Sequence, residues 1–350
     1  MSDSADTSHP DPEPADAVMD LIFGRWRSQT LHAGVELGVF EVLADGPRTA
    51  EAVAEARDLD PDNTYRLLRA LGSLDLLEER PDGAFAITDK GALLTRGHPR
   101  SLRGIALLEE GPVHYDLWTH LEECVRTGED DAFEKEHGHS QFEYLDRELD
   151  PEYSRVFDEA MTSLSRMETQ AVLAALDDEA LSGVDHLCDV AGGRGYLLSH
   201  LLAAHPEMTG EVLELPKVVD EAGALPKNVG VADRIGFTAG DMFEAVPEAD
   251  GYLMKHILHD WGDEKCTQIL NNIRAAAPAG APVFIAELVV PGPDTPHFAK
   301  LFDVHMMVAT GGQERTVEEY GALFERAGLE LAGHHRAEEQ PMSVVEGRVP

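Results

Sequence analysis

Apolar residues recur at helical spacing over residues 17–43: Val18, Leu21, Ile22 and Trp26, then Leu31, Val35, Phe40 and Leu43. This stripe is more apolar than a surface helix requires, which predicts a partner-facing surface and a homodimer. Thr49 then caps a short helix over 50–56, and Asp60-Pro61 opens a second over 62–74 with proline in its first turn. Two short strands at 76–79 and 84–87 flank the turn Pro81-Asp82-Gly83. The order is that of a winged helix. Residues 91–166 read as mostly helical, and 153–173 forms one long helix in which Phe157 and Met161 lie one turn apart on one face. That spacing suits a pocket floor and core packing equally.

From Val184 onward the pattern changes to alternating strands and helices. Strands are expected at 184–188, 211–213, 235–238, 251–256 and 282–288, and helices at 195–204, 216–222 and 263–277. Thr316 with Glu319 forms a capping-box pattern for a helix over 316–327, followed by strands at 329–334 and 343–346. The fold class is α/β, a Rossmann-like domain behind a helical, winged-helix N-terminal domain. Boundaries fall at 1–14 for a disordered tail, 15–100 for the dimerisation domain, 101–165 for a helical connector and 166–350 for the α/β domain.

The most informative run is Asp189-Val190-Ala191-Gly192-Gly193-Arg194-Gly195, a glycine-rich turn between a strand and a helix. Such a turn lets backbone N–H groups approach a ligand with no Cβ in the way. Its spacing is not that of the dinucleotide fingerprint. Glu214 ends the next apolar segment and Asp241 the one after, and acids at successive strand ends are how an open α/β sheet holds a nucleoside. Further on, the stretch 252–261 leaves a strand and enters a helix, placing His259 at the same sheet edge. By spacing alone this is either a surface histidine or a proton acceptor. Glu287, at a strand end, and Glu314, in a Gly-rich loop, are the acids that could fix its tautomer.

The chain carries 66 acidic and 28 basic residues, a formal charge of −38 in 350 residues. Phosphate binding needs a Lys and Arg surplus, so nucleic acid and anionic membranes are poor partners. This turns the winged helix, with Arg66 and Arg69 on its second helix, toward dimerisation rather than DNA. Scattered over the whole chain, the acids read as adaptation to molar salt, where the Debye length shrinks to about 3 Å. Three cysteines without metal spacing imply a reducing compartment. No signal peptide or membrane-length apolar run is evident, so the expected location is the cytoplasm.

Taken in order, five motifs resemble the S-adenosylmethionine-dependent O-methyltransferases of the caffeate, hydroxyindole and anthracycline type. They are the glycine turn, Leu213-Glu214-Leu215-Pro216, Gly240-Asp241-Met242-Phe243, the stretch from Met254 to Trp261, and Gly311-Gly312-Gln313-Glu314-Arg315-Thr316. The resemblance runs from about Val18 to the end. It implies S-adenosylmethionine as cofactor, with Asp189 among the residues that bind it, Gly192 at its methionine part and Glu214 on the ribose hydroxyls. Asp241 and Met242 would hold the adenine, and Lys255 would sit near that end. It implies His259 as general base with Glu287 and Glu314 as flanking acids, and Phe157, Met161 and Met307 lining the pocket of a small hydroxylated acceptor. Arg194 departs from the small residue common in that turn. No metal is implied. Two other readings exist: a relative that keeps the cofactor for hydroxylation or decarboxylation, and a ligand-sensing DNA regulator. Retention of His259, Glu287 and Glu314 argues against the first, and the net charge against the second.

Overall fold

A computed structural model of the chain describes residues 13–145, 149–219, 229–337 and 340–350. Contacts divide it into two compact units, Met1–Tyr115 with Arg155–Ser163, and Asp116–Ser154 with Leu164–Pro350. The stretch expected as a connector, 101–165, is thus shared out between the two units.

In the first unit, residues 1–12 of the expected tail lie outside the described residues. Pro14 opens a helix, Pro14–Ile22, because a first-turn position needs no N–H. None of its residues is buried, and Leu21 is 82% exposed. The apolar stripe is not one helix. It breaks into Pro14–Ile22, Gly24–Glu36 and Val39–Ala44, with Gly38 in the left-handed region at φ +68°. Helices Ala50–Arg57 and Pro61–Gly72 follow, with Thr49 and Asp60 accepting from the N–H groups of Ala52 and Asn63. Strands β1 (Arg48–Thr49), β2 (Leu77–Glu79) and β3 (Ala84–Ile87) form a small sheet in the order β1-β3-β2. Val39, Phe40, Leu43, Val53, Leu68 and Phe85 fill the core beneath it. Arg66 and Arg69 are exposed.

The second unit is a seven-stranded sheet. Its strands are β4 (His186–Val190), β5 (Thr209–Glu214), β6 (Ile235–Ala239), β7 (Gly251–Lys255), β8 (Pro282–Glu287), β9 (Glu330–Arg336) and β10 (Ser343–Arg348). Their order is β6-β5-β4-β7-β8-β10-β9. β4 through β8 pair in parallel, and β10 runs antiparallel between β8 and β9. Alternation along the strands feeds two cores. Tyr252, Met254, Val283 and Ile285 pack with helices Asp263–Ala276 and Val317–Ala327. Leu253, Phe284 and Ala286 pack with Tyr196–Ala204 and the end of the long helix Pro151–Ala175. Strands covered on both faces need no polar alternation, so β8 is buried at every position. The order reverses between β4 and β7, and such a switch point is where open α/β sheets bind ligands, beyond the strands' carboxyl ends.

The capping box at Thr316 and Glu319 forms as expected. Of the expected helix 216–222, Pro216–Val219 is described and the rest lies outside the described residues. The helix Ala299–Ala309, which carries Met307, had not been expected. The three cysteines are free and buried. No described helix is long and apolar enough to cross a membrane.

Candidate active site

The carboxyl end of β4 runs into the glycine turn. Ala191, Gly193 and Gly195 all have positive φ, and Gly195 caps the helix Tyr196–Ala204. At Gly192 a Cβ would overlap the Asp189 carboxylate, so only glycine lets the turn close over that acid. Asp189 is 2% exposed, and its Oδ2 has no hydrogen-bond partner among the described residues. Burial pushes its carboxyl up, opposed by Lys255 and helped by Glu214, to about 7. Glu214, at the end of β5, accepts the Gly193 N–H at 3.0 Å and the Leu215 N–H at 2.8 Å. Burial raises it as well.

At the end of β6, Asp241 accepts the Phe243 N–H at 2.8 Å, and Met242 packs half-buried with its carbonyl held by Asn272 at 2.8 Å. Asp189, Gly192 and Glu214 are therefore brought into one cluster, and Asp241 with Met242 stands at the next strand end. Lys255 ends β7, on the other side of β4 from β5 and β6. Its Nζ lies 3.1 Å from Glu168 Oε2.

Beyond β7 the chain makes a short 3-10 turn, Leu258–Asp260. His259 is buried there, with its Nδ1 2.7 Å from Glu314 Oε1. Nε2 stands 3.7 Å from Asp260 Oδ1, beyond hydrogen-bond reach. Burial alone pulls the imidazole down, but Asp260, Glu314 and Glu287 outweigh it and bring His259 up to about 9. Burial pushes Asp260 up to about 6.

The two flanking acids divide their work. Glu314 takes the ring. Glu287, fully buried at the end of β8, accepts the backbone N–H groups of Ile257 and His259 at 3.1 and 3.2 Å, and its other oxygen accepts the Tyr320 hydroxyl. Glu287 thus holds the turn without hydrogen-bonding the imidazole.

The loop carrying Glu314 lies against that turn. Gly312 fits because a Cβ would overlap the His259 carbonyl oxygen. The Gln313 N–H donates to that carbonyl at 2.8 Å, and Asp303 accepts the Glu314 N–H at 2.8 Å. Arg315, 1% exposed, donates to the carbonyls of Leu258 and Trp261 and to Asp263. Trp261 stacks on Phe142 at 4.9 Å, meets Phe243 edge-on and has Lys265 over its ring at 4.2 Å. Met307 is half-buried on Ala299–Ala309, one turn beyond Asp303. Phe157 and Met161 belong to the first unit, and Arg194 is exposed.

Sequence reasoning missed Glu168, Asp260 and the structural part of Arg315. Asp260 and Arg315 lie inside motifs already singled out. Glu168 has no local signal, since one acid on a long helix looks like any other.

A sheet that is parallel from β4 to β8, with a glycine turn and acids at its switch point and a buried imidazole–carboxylate pair in the same unit, is a Rossmann-like α/β arrangement. The O-methyltransferase domain family matches residues 118–330, and the O-methyltransferase dimerisation domain matches 19–97. The chain is 38% identical to phenazine O-methyltransferase PhzM of Lysobacter antibioticus, covering 90% of each chain. It is 36% identical to the mitomycin biosynthesis 6-O-methyltransferase of Streptomyces lavendulae, covering 95% of this chain and 94% of that one. The crystal structure of human N-acetylserotonin methyltransferase with S-adenosylmethionine superposes with a TM-score of 0.81 at 28% identity, covering 97% of this chain and 99% of the other. The chain belongs to the S-adenosylmethionine-dependent O-methyltransferase family. It is a methyltransferase that uses S-adenosylmethionine, and its dimerisation domain supports a homodimer.

Proposed function

We propose that His259 is the general base that takes the proton from a phenolic hydroxyl of a small acceptor during methyl transfer. The observation that carries this is the buried Nδ1–Glu314 pair at 2.7 Å, with Nε2 given no hydrogen bond among the described residues and Asp260 Oδ1 3.7 Å from it. Glu314 fixes the tautomer and stabilises the imidazolium, so Nε2 is the atom that accepts. Glu287, Gln313 and Arg315 hold the backbone around it.

The residues fit the cofactor. Asp189 offers a buried carboxylate oxygen, with no hydrogen-bond partner among the described residues, under a turn that only glycine can make. Asp189 and Gly192 would hold the methionine part. Each Glu214 oxygen spends one lone pair on a backbone N–H and keeps one for a ribose hydroxyl. Asp241 and Met242 would hold the adenine, with Lys255 at the β7 side. When bound, S-adenosylmethionine supplies a methyl group on a positively charged sulfur.

A phenol with a pKa near 10 is a weak nucleophile while protonated. His259 removes that proton as the bond forms. A base at about 9 is strong, but on the order of one imidazole in a hundred is neutral at pH 7. It releases its own proton more readily when a positive group enters the pocket. Holding the reactants in line supplies much of the rest of the acceleration.

Phe157, Met161 and Met307 are proposed to contact the acceptor. The acidic excess is read as adaptation to high salt, and the exposed apolar face of Pro14–Ile22 as part of the dimer contact.

The test is label transfer from S-adenosylmethionine, in molar KCl, into a panel of phenols, quinols and hydroxyindoles. His259→Ala should abolish turnover with cofactor affinity unchanged, whereas Glu214→Ala should weaken affinity at least tenfold. A large affinity loss in His259→Ala would contradict its role as base.

A further inference from the structure

Glu168 stands on the Pro151–Ala175 helix, within the second unit, with its side chain 14% exposed. A carboxylate so placed is unfavourable unless its oxygens are matched. Here both are: Oε2 accepts from Lys255 Nζ at 3.1 Å, and Oε1 pairs with His256 Nε2 at 2.9 Å. These partners are consecutive residues, and consecutive side chains on a strand point to opposite faces. One acid reaches both because His256 leaves strand geometry, at φ +55°. A residue with a Cβ holds that conformation only where its surroundings over-determine it. The result is an imidazole stacked on that of His259, with ring centroids 4.7 Å apart and planes 28° from parallel. Phe302 lies against both rings at 6.4 and 6.0 Å.

We propose that Glu168 is a positioning residue for the base: it anchors Lys255 and His256 and, through the stacked His256 ring, sets the orientation and charge of His259. The inference rests on His259 being the base.

The charges around the two rings support it. His256 faces Glu168, Lys255, Asp260 and His259, while His259 faces Asp260, Glu314, Glu287 and His256. Burial pushes His256 down, and Lys255 and His259 add to this against Glu168. A neutral His256 paired with Glu168 carries its proton on Nε2, which leaves Nδ1 bare, and that atom is buried with no hydrogen-bond partner among the described residues. Two stacked imidazolium rings would repel, so a neutral His256 leaves the proton to His259. Burial opposes ionisation of Glu168, but the Lys255 charge and the hydrogen bond from His256 act against it and hold the carboxyl below its ordinary value. Glu168 therefore cancels the Lys255 charge across the neutral pH range.

Glu168→Gln keeps the volume and loses the charge. His256 then loses its anchor, the ring stacked on His259 is no longer fixed, and the His259–Glu314 pair loosens, which lowers the proton affinity of His259. The ascending limb of the kcat/KM profile should move about one pH unit toward acid. The acceptor KM should change less than twofold. A purely structural role would lower Tm and leave the limb in place, which overturns the proposal. Imidazole NMR of the wild-type protein is the second arm and needs no variant to fold. It should show His256 neutral with its proton on Nε2 from pH 7.5 to 9, and an imidazolium in that range overturns the proposal. His259→Ala separates the two readings. If that variant keeps the wild-type profile, the base assignment fails, while the NMR arm still reads the clamp without turnover.

Discussion

Glu314→Gln tests how the base is tuned. The amide keeps the shape and can still accept from His259 Nδ1, but it carries no charge. Asp260, Glu314 and Glu287 together lift the fully buried His259 from 6.5 to about 9, a preference for the charged ring on the order of 3 kcal/mol. Among these acids Glu314 acts twice, through the 2.7 Å hydrogen bond and through its charge. Its loss should bring the ascending limb of kcat/KM from about 9 down toward 7. The plateau rate should fall about 10²- to 10³-fold, because the base is weaker and its imidazolium loses its anion. The assay is initial-rate methyl transfer from pH 6 to 10.5 at saturating S-adenosylmethionine, with circular dichroism confirming the fold at each pH. The same group sets a stability trend. A raised histidine contributes stability in full below its unfolded value of 6.5, and that contribution is lost as pH rises through about 9. The wild-type Tm should therefore decline across this window, and the decline should flatten in Glu314→Gln. A limb within a few tenths of a pH unit of wild type would refute the tuning argument.

Gly312→Ala should reduce kcat at least a hundredfold and lower Tm, since the added Cβ overlaps the His259 carbonyl and displaces the loop carrying Glu314. Normal activity would show that the loop shifts without harm. Leu21→Glu should weaken the dimer in sedimentation velocity and leave monomer folding intact, because this side chain is 82% exposed within one chain. An unchanged dimer would remove Pro14–Ile22 from the interface. With a formal charge of −38, Tm should rise with KCl from 0.1 to 2 M, about as far with NaCl as with KCl. A flat response would sink the high-salt reading.

The chain by itself determined the elements whose physics is local. Alternation and apolar runs placed β4, β5, β7 and β8 to within about two residues, because strands buried on both faces must be apolar throughout. Caps marked the starts of Ala50–Arg57, Pro61–Gly72 and Val317–Ala327, where an orphan N–H has to find a nearby oxygen. The motifs also placed His259, Glu214 and Asp241 at one sheet edge, since each follows the end of a parallel strand. The single stripe over 17–43 misled at Gly38, where a positive φ splits what periodicity runs together. Only the tertiary structure decided what each acid does. Glu287 and Glu314 look equivalent as sequence, yet β8 aims one at backbone N–H groups while the loop beyond Ala299–Ala309 delivers the other to the ring. Glu168 reaches Lys255 and His256 from 87 and 88 residues away. Nothing local requires that pairing. It follows from packing the long helix against the sheet, and the buried carboxylate is stable only because both partners are brought to it.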